Sequence, residues 1–228
     1  MIVERILCLL IGYVFGLFQT SFVYGKAHGI DIRQHGSGNA GTTNALRVLG
    51  PKAGAIVLVG DFFKCLIAVI IVRLIWTSTY PDTIYLLVIY TATGVIIGHN
   101  FPFYMNFKGG KGIAATAGMI ASFHPYFIPV GLALFIGTML ITHYVSLGSL
   151  MVYAGLMIQM VICGQMGLFK GMTQANLNEL YIVTAFLMVM AYWKHRENIV
   201  RLVKGVENKT YLSKKKKEQA MAKAENKK

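Results

Sequence analysis

Apolar residues in this chain are gathered into long blocks rather than spread at a strand-like or surface-helix spacing. The first covers residues 6–24, and six more follow at about 53–76, 83–100, 112–123, 125–143, 147–168 and 179–194. A helix rises about 1.5 Å per residue, so blocks near twenty residues match a hydrocarbon core of about 30 Å. Inside lipid every backbone N–H and C=O must find its partner within the segment, so the pattern predicts an all-α integral membrane protein. Segment 113–123 is short for a span, and Pro125 follows it. It reads either as a re-entrant helix or as the first part of one broken helix over 113–143.

Composition supports this class. Of the 228 residues 55% are hydrophobic and only 14% charged, whereas a soluble domain carries about a quarter charged residues. The net charge of +13 is unevenly placed: from Lys194 onward twelve Lys or Arg stand against four Glu. Such a segment suits the cytoplasmic face beside anionic headgroups. No nucleic-acid recognition module accompanies the basic charge, so nucleic acid is not an expected partner.

Seven transmembrane helices would put the N-terminus outside and gather the 24–52 loop, the 101–111 loop and the C-terminus on the cytoplasmic side. That side then holds Lys26, Arg33, Arg47, Lys52, Lys108 and Lys111. Six spans would turn the basic tail outward, against the positive-inside rule, unless a re-entrant segment restored its side. The expected organisation is one polytopic membrane domain over 1–212 and a basic, disordered cytoplasmic tail over 213–228. Glu4 and Arg5 cancel and no small-x-small site precedes Lys26, so the first block reads as a retained helix rather than a signal peptide. Cys8, Cys65 and Cys163 lie in apolar runs, with neither disulfide nor zinc spacing. No internal repeat appears, which weighs against a transporter built from inverted halves.

Three polar segments interrupt the pattern. In the first, His35-Gly36-Ser37-Gly38-Asn39-Ala40-Gly41-Thr42-Thr43-Asn44, glycines alternate with small polar residues. Such a backbone can curl its N–H groups around an anion. A helix beginning at Thr42, Thr43 and Asn44 would add its positive end, with Arg47 projecting from its first turn to clamp an oxyanion. The alternative is a polar turn between membrane helices, but the loop stays polar and glycine-rich for longer than a turn needs. The second segment runs from Gly98-His99-Asn100 to Phe107-Lys108-Gly109-Gly110-Lys111-Gly112. It is no nucleotide phosphate loop: the leading glycine is missing, and Gly112 stands where Ser or Thr should hold magnesium. Two lysines on a flexible glycine backbone suit a small phosphorylated ligand; a pair of positive-inside anchors is the plainer reading. His99 is as readily a structural histidine as a functional one. The third segment holds His195, Asn198, Arg201 and Leu202 at helical spacing, with Glu197 and Arg201 as an i,i+4 pair and Glu207 beyond. His195 is the default acid–base candidate. Asp61 and Lys64 would form an intramembrane charge pair, structural or functional. Ser146 lies in a polar turn that seven spans return to the cytoplasmic side.

Taken together, GSGNAGTTNALRVLG (36–50), GHNFPFYMNFKGGKGIA (98–114), YVSLGS (144–149) and HRENIVRL with GVE (195–207) resemble the bacterial acyl-phosphate-dependent glycerol-3-phosphate acyltransferases. Thr42 stands where that family more often has Ala, and the tail is longer and more basic than the family needs. The resemblance implies transfer of a fatty acyl group from acyl phosphate to the sn-1 hydroxyl of glycerol 3-phosphate. The products would be lysophosphatidate and inorganic phosphate, and the setting phospholipid synthesis at a bacterial plasma membrane. It implies seven helices, a cytoplasm-facing site, and no metal or cofactor, because a mixed anhydride is already activated.

Two phosphates then need two anion pockets. Gly38, Asn39, Gly41, Thr42, Thr43, Asn44 and Arg47 would line one; Lys108, Gly109, Gly110 and Lys111, with His195 and Asn198, the other. Ser37, Ser146, His195 and Asn198 are the catalytic candidates, with Ser37 and Ser146 orienting rather than forming an acyl-enzyme, and with either His195 or a substrate phosphate taking the proton. Partners would be the two substrates and membrane lipids, with the enzyme supplying acyl phosphate a further candidate. A membrane transporter of a small organophosphate is the competing class: it also suits basic glycine loops, but forms no ester and releases no phosphate. A basic-tailed membrane scaffold, the third class, would leave the three motif loops without a purpose.

Overall fold

The computed structural model describes residues 1–210, so the tail expected over 213–228 lies outside the described residues. Among the described residues the regular elements are helices: α1 (Ile2–Leu17), α2 (Thr20–Ala27), α3 (Thr42–Leu49), α4 (Pro51–Trp76), α5 (Ile84–Asn100), α6 (Ile113–Phe123), α7 (Phe127–Thr142), α8 (Val145–Gln165), α9 (Gln174–Lys194) and α10 (Arg196–Val203), with three short 3-10 turns. The all-α membrane class expected from the apolar blocks is what folds. Each block becomes a helix, and the first is broken in two.

At that break Phe18 and Gln19 leave the helical region, which frees carbonyls that lipid could not satisfy. Buried side chains take them up. Gln19 donates to Gly16 O at 3.2 Å, and Lys64 donates to Phe18 O at 2.8 Å. Segment 113–143 is likewise two helices. His124, forced to extended geometry by the proline after it, has φ −159° and ψ 141° and ends α6.

Five segments are long and apolar enough to cross a bilayer: 2–27, 51–76, 81–105, 145–165 and 174–194. At 11 and 16 residues, α6 and α7 extend only about 16 and 24 Å. Large apolar side chains such as Ile2, Val14, Leu74, Ile141 and Ile182 face outward, the surface a hydrocarbon solvent requires.

Close backbone contact holds the centre together. Gly12 and Gly16 of α1 meet Gly94 and Gly98 of α5 so closely that a methyl on any of them would enter the other helix's backbone. Two small-xxx-small faces thus replace side-chain interdigitation with direct backbone packing. Gly118 of α6 sits in the same way against Phe62 O of α4.

The chain reversals fall at two ends. At the end bearing Met1, Tyr80 Oη donates to Glu4 at 2.7 Å and Thr83 reaches Met1. There Arg73 donates to Phe123 O at 2.8 Å, and Arg5 grips Glu179 with two bonds of 2.6 Å. Helix α6 runs to this far end and α7 runs back. The loops after α2, α5, α7 and α9 therefore gather at the other end.

Candidate active site

The first polar loop is built around Asn44. Its Oδ1 accepts from Ser37 N at 2.8 Å, while its Nδ2 donates to Ile32 O at 3.2 Å and His35 O at 2.9 Å. Gly36, at φ +61°, has no room for a methyl because Asn44 Oδ1 occupies the space. Asn44 thus shapes the loop from inside, its amide spent on backbone. Asp31 braces the entry: it accepts from Arg33 N and holds the Arg33 guanidinium at 3.0 and 2.7 Å. That guanidinium keeps the Asp31 carboxyl low, at about 2. Helix α3 begins at Thr42 after a Gly41 cap, which offers no side chain to its first N–H groups. Thr42 Oγ1 is buried without a protein partner, an orphan of the kind that points into binding sites. Ser37, Gly38 and Arg47 are exposed, and Asn39 and Thr43 are half-buried. Arg47 lies in the last turn of α3, not the first as its distance from Asn44 suggested.

The glycine loop leans on the end of α5. Gly109 N donates to Asn100 O at 3.2 Å and Gly110 N to His99 O at 3.1 Å. A methyl at Gly109 would enter His99 O, and one at Gly110 would strike His99 Nε2 and Ala40 O. Only glycine lets this loop lie on α5 and lets the first loop, through Ala40, touch it. Gly112, at φ +78°, then caps α6.

The third and fourth segments converge on Lys111. Its ammonium donates to Asn198 Oδ1. Asn198 Nδ2 donates to Glu207 Oε1 at 2.7 Å, which also accepts from Ser146 Oγ at 3.2 Å. Arg201 Nε donates to the other Glu207 oxygen at 2.7 Å. Arg201 therefore pairs with Glu207 and not with Glu197, the i,i+4 partner expected from sequence; Glu197 lies near Arg196 at 3.9 Å. Glu207 is the residue whose weight sequence reasoning missed. It was visible only as the end of the GVE motif, and its role depends on three elements meeting.

His195 is buried, and its Nδ1 lies 2.7 Å from Ala191 O. A carbonyl can only accept, so Nδ1 carries the proton and Nε2 is left with its lone pair. Burial, followed by nearby Lys111, pushes the imidazole down to about 4. Burial likewise lowers the Lys111 ammonium to about 8, with Arg201 adding to the effect. Lys194 donates to Asn100 O at 3.3 Å and lies over the Phe101 ring.

The structure thus brings together Lys111, His195, Asn198 and Ser146, with Gly109 and Gly110 as their floor. Lys108, expected in the same pocket, is exposed beside it. The Ser37–Arg47 loop joins through Ala40. Among the described residues no three His, Cys, Asp or Glu side chains converge as a metal site would need. A cavity of about 460 Å³ lined by Arg5, Tyr90 and Glu179 belongs to the far end and is remote from these loops.

Comparison with known proteins follows this geometry. A family model described as glycerol-3-phosphate acyltransferase matches residues 6–205. The glycerol-3-phosphate acyltransferase of Halalkalibacterium halodurans is 38% identical over 198 residues, covering 86% of this chain and 91% of that protein. The enzyme of the same name from Clostridioides difficile is 37% identical over 212 residues, covering 91% and 96%. Among solved structures, PlsY (YgiH), an integral membrane glycerol 3-phosphate acyltransferase crystallised in its glycerol 3-phosphate form, superposes with a TM-score of 0.77. Its identity is 27%, over 91% of this chain and 96% of that one. Its lysophosphatidic acid form gives 0.75 at 26% identity.

Proposed function

The chain belongs to the glycerol-3-phosphate acyltransferase family, and from there we propose that its donor is an acyl phosphate and that its site works at the cytoplasmic face of a bacterial plasma membrane. The observation that carries this reading is the convergence of Lys111, Asn198, Ser146 and Glu207, three segments far apart in sequence, beside a glycine loop. Such a site offers fixed cations for two phosphates, with the uncapped first N–H groups of α3 beside them. The loops at this end also carry Lys26, Arg33, Arg47, Lys52 and Lys108, which supports a cytoplasmic orientation.

In this reading α1, α4, α5, α6, α7, α8 and α9 pass seven times, with the N-terminus outside. Helix α6 is shorter than a bilayer, but packed among its neighbours it need not face lipid along its full depth.

Glycerol 3-phosphate takes the glycine loop with Lys111 and the exposed Lys108. Acyl phosphate places its headgroup against the Ser37–Arg47 loop and its tail in the bilayer. The sn-1 hydroxyl attacks the acyl carbonyl carbon, and an oxyanion forms. The bond to the phosphate oxygen then breaks, leaving ester and inorganic phosphate. Held as the Nδ1–H tautomer, His195 accepts a hydrogen bond from the hydroxyl through Nε2 and aims it. A phosphate oxygen, with a second pKa of about 6, is a stronger base than an imidazole near 4, so the proton ends on phosphate. Positioning and charge stabilisation supply the rate. Ser37 orients and does not carry the acyl group.

The test is purified protein with palmitoyl phosphate and glycerol 3-phosphate, with palmitoyl-CoA as a parallel donor. Equal yields of phosphate and lysophosphatidate from the first donor and none from the second are expected. Product from the CoA donor alone would refute the acyl-phosphate assignment.

A further inference from the structure

The membrane interior holds a second set of polar groups that the reaction does not use. Asp61 and Lys64 of α4 and His99 of α5 are 1%, 5% and 3% exposed. Lys64 Nζ donates to Asp61 Oδ1 at 2.9 Å, to Phe18 O at 2.8 Å and to His99 Nδ1 at 2.8 Å. Thr20 Oγ1 donates to the same carboxylate oxygen at 3.0 Å. An ammonium has three protons and no lone pair, so Nδ1 of His99 is the acceptor. The ring is therefore neutral and its proton sits on Nε2, which lies against Gly110.

Charge pairing alone does not call for this arrangement. Asp61 and Lys64 satisfy one another, and the remaining proton had a carbonyl at hand in Gly16 O, 3.4 Å away. Instead it fixes the side chain that lies against Gly110. The same turn of α5 holds that loop by its backbone, His99 O accepting from Gly110 N and Asn100 O from Gly109 N. Gln19 Nε2 donates to His99 O at 3.0 Å from the other side. Ring and carbonyl of His99 are thus both fixed, and both bear on Gly110.

We propose that Asp61, Lys64 and His99 form a positioning relay that sets the Gly109–Lys111 loop, and hence the affinity for glycerol 3-phosphate, from inside the membrane. The relay rests on the reading above that this loop holds the glycerol 3-phosphate phosphate. Lys64 fixes the ring orientation and tautomer of His99; His99 fixes Gly110; Gly110 fixes the backbone that carries Lys111 to Asn198. None of the three touches a reacting atom.

Lys64→Met alone would strand a buried carboxylate and threaten folding, so the test uses the charge-balanced pair Asp61→Asn/Lys64→Met, together with His99→Asn, which keeps an acceptor for Lys64 but falls short of Gly110. Glycerol 3-phosphate binding is measured by calorimetry on full-length protein in detergent, and thermal unfolding on the same samples. Each variant is expected to bind about tenfold more weakly, with kcat and the KM for palmitoyl phosphate within about threefold of the parent. Combined, they are expected to cost little more than either alone, because they break one chain of contacts. Unchanged binding in folded variants, or an equal rise in KM for both substrates, would overturn the relay. If the parent binds glycerol 3-phosphate yet forms no product, the proposed reaction fails while the binding ratio still judges the relay; a parent that binds none refutes both.

Discussion

Two residues of the site make its pH profile a test of their roles. Lys111, lowered to about 8 by burial, loses its charge as pH rises through that value, and a neutral amine holds phosphate poorly. The KM for glycerol 3-phosphate is expected to climb above about pH 8. In Lys111→Arg, whose guanidinium stays charged, that climb should vanish; an unmoved alkaline limb would assign it to another group. His195, near 4, is already neutral throughout the working range. An acid limb near pH 6 should therefore come from substrate phosphate and survive in His195→Gln while kcat falls about a hundredfold. A limb that disappears with the imidazole would instead make His195 the base. Glu207, nearly buried and holding Asn198, Ser146 and Arg201 at once, is the residue whose loss reaches furthest. Glu207→Ala removes the acceptor of Asn198, Ser146 and a partly exposed arginine and should cost about 1–2 kcal/mol of stability, read as a lower unfolding temperature together with lost turnover.

At the scale of elements, the helices were legible and their seams were not. Long apolar runs announce a membrane helix because lipid leaves the backbone no other solution, so each of the seven blocks became helical. The break at Phe18–Gln19 was hidden because Lys64, which satisfies the Phe18 carbonyl, and His99, whose carbonyl anchors Gln19, come from other helices. The same holds for Glu207, whose partners lie on α8 and α10, and for Arg201, which turned from its helical neighbour to a tertiary one. Local spacing gave the candidates, and packing chose among them. The α1–α5 glycine seam escaped notice for a related reason: Gly12 and Gly16 acquire meaning only when Gly94 and Gly98 lie opposite. Gly94→Leu should prevent α1 from docking and leave no folded protein in membranes, whereas Gly137→Leu, with open space around it, should accumulate normally. Equal yields of the two would show that the seam is not what joins these helices.

Across the whole molecule, polar contacts concentrate at two ends for different purposes. At the far end Arg5, Glu179 and Tyr90 form one cluster, with Tyr90 Oη donating to Glu179 at 2.8 Å. Because the pair is largely withdrawn from water, a charge left alone there is costly, so replacing both by methionine should cost less than removing either alone. Arg5→Met is expected to lose about 1–3 kcal/mol and Arg5→Met/Glu179→Met to recover most of it. Unfolding curves that show the double variant as weak as the sum would refute coupling. The braces joining Glu4 to Tyr80, Arg73 to Phe123 and Arg5 to Glu179 clasp the bundle at the end away from the site, as the Lys111, Asn198 and Glu207 contacts clasp it at the other. In the proposed orientation the site end faces the inner leaflet, so lysophosphatidate formed there would join the cytosolic monolayer without crossing the membrane.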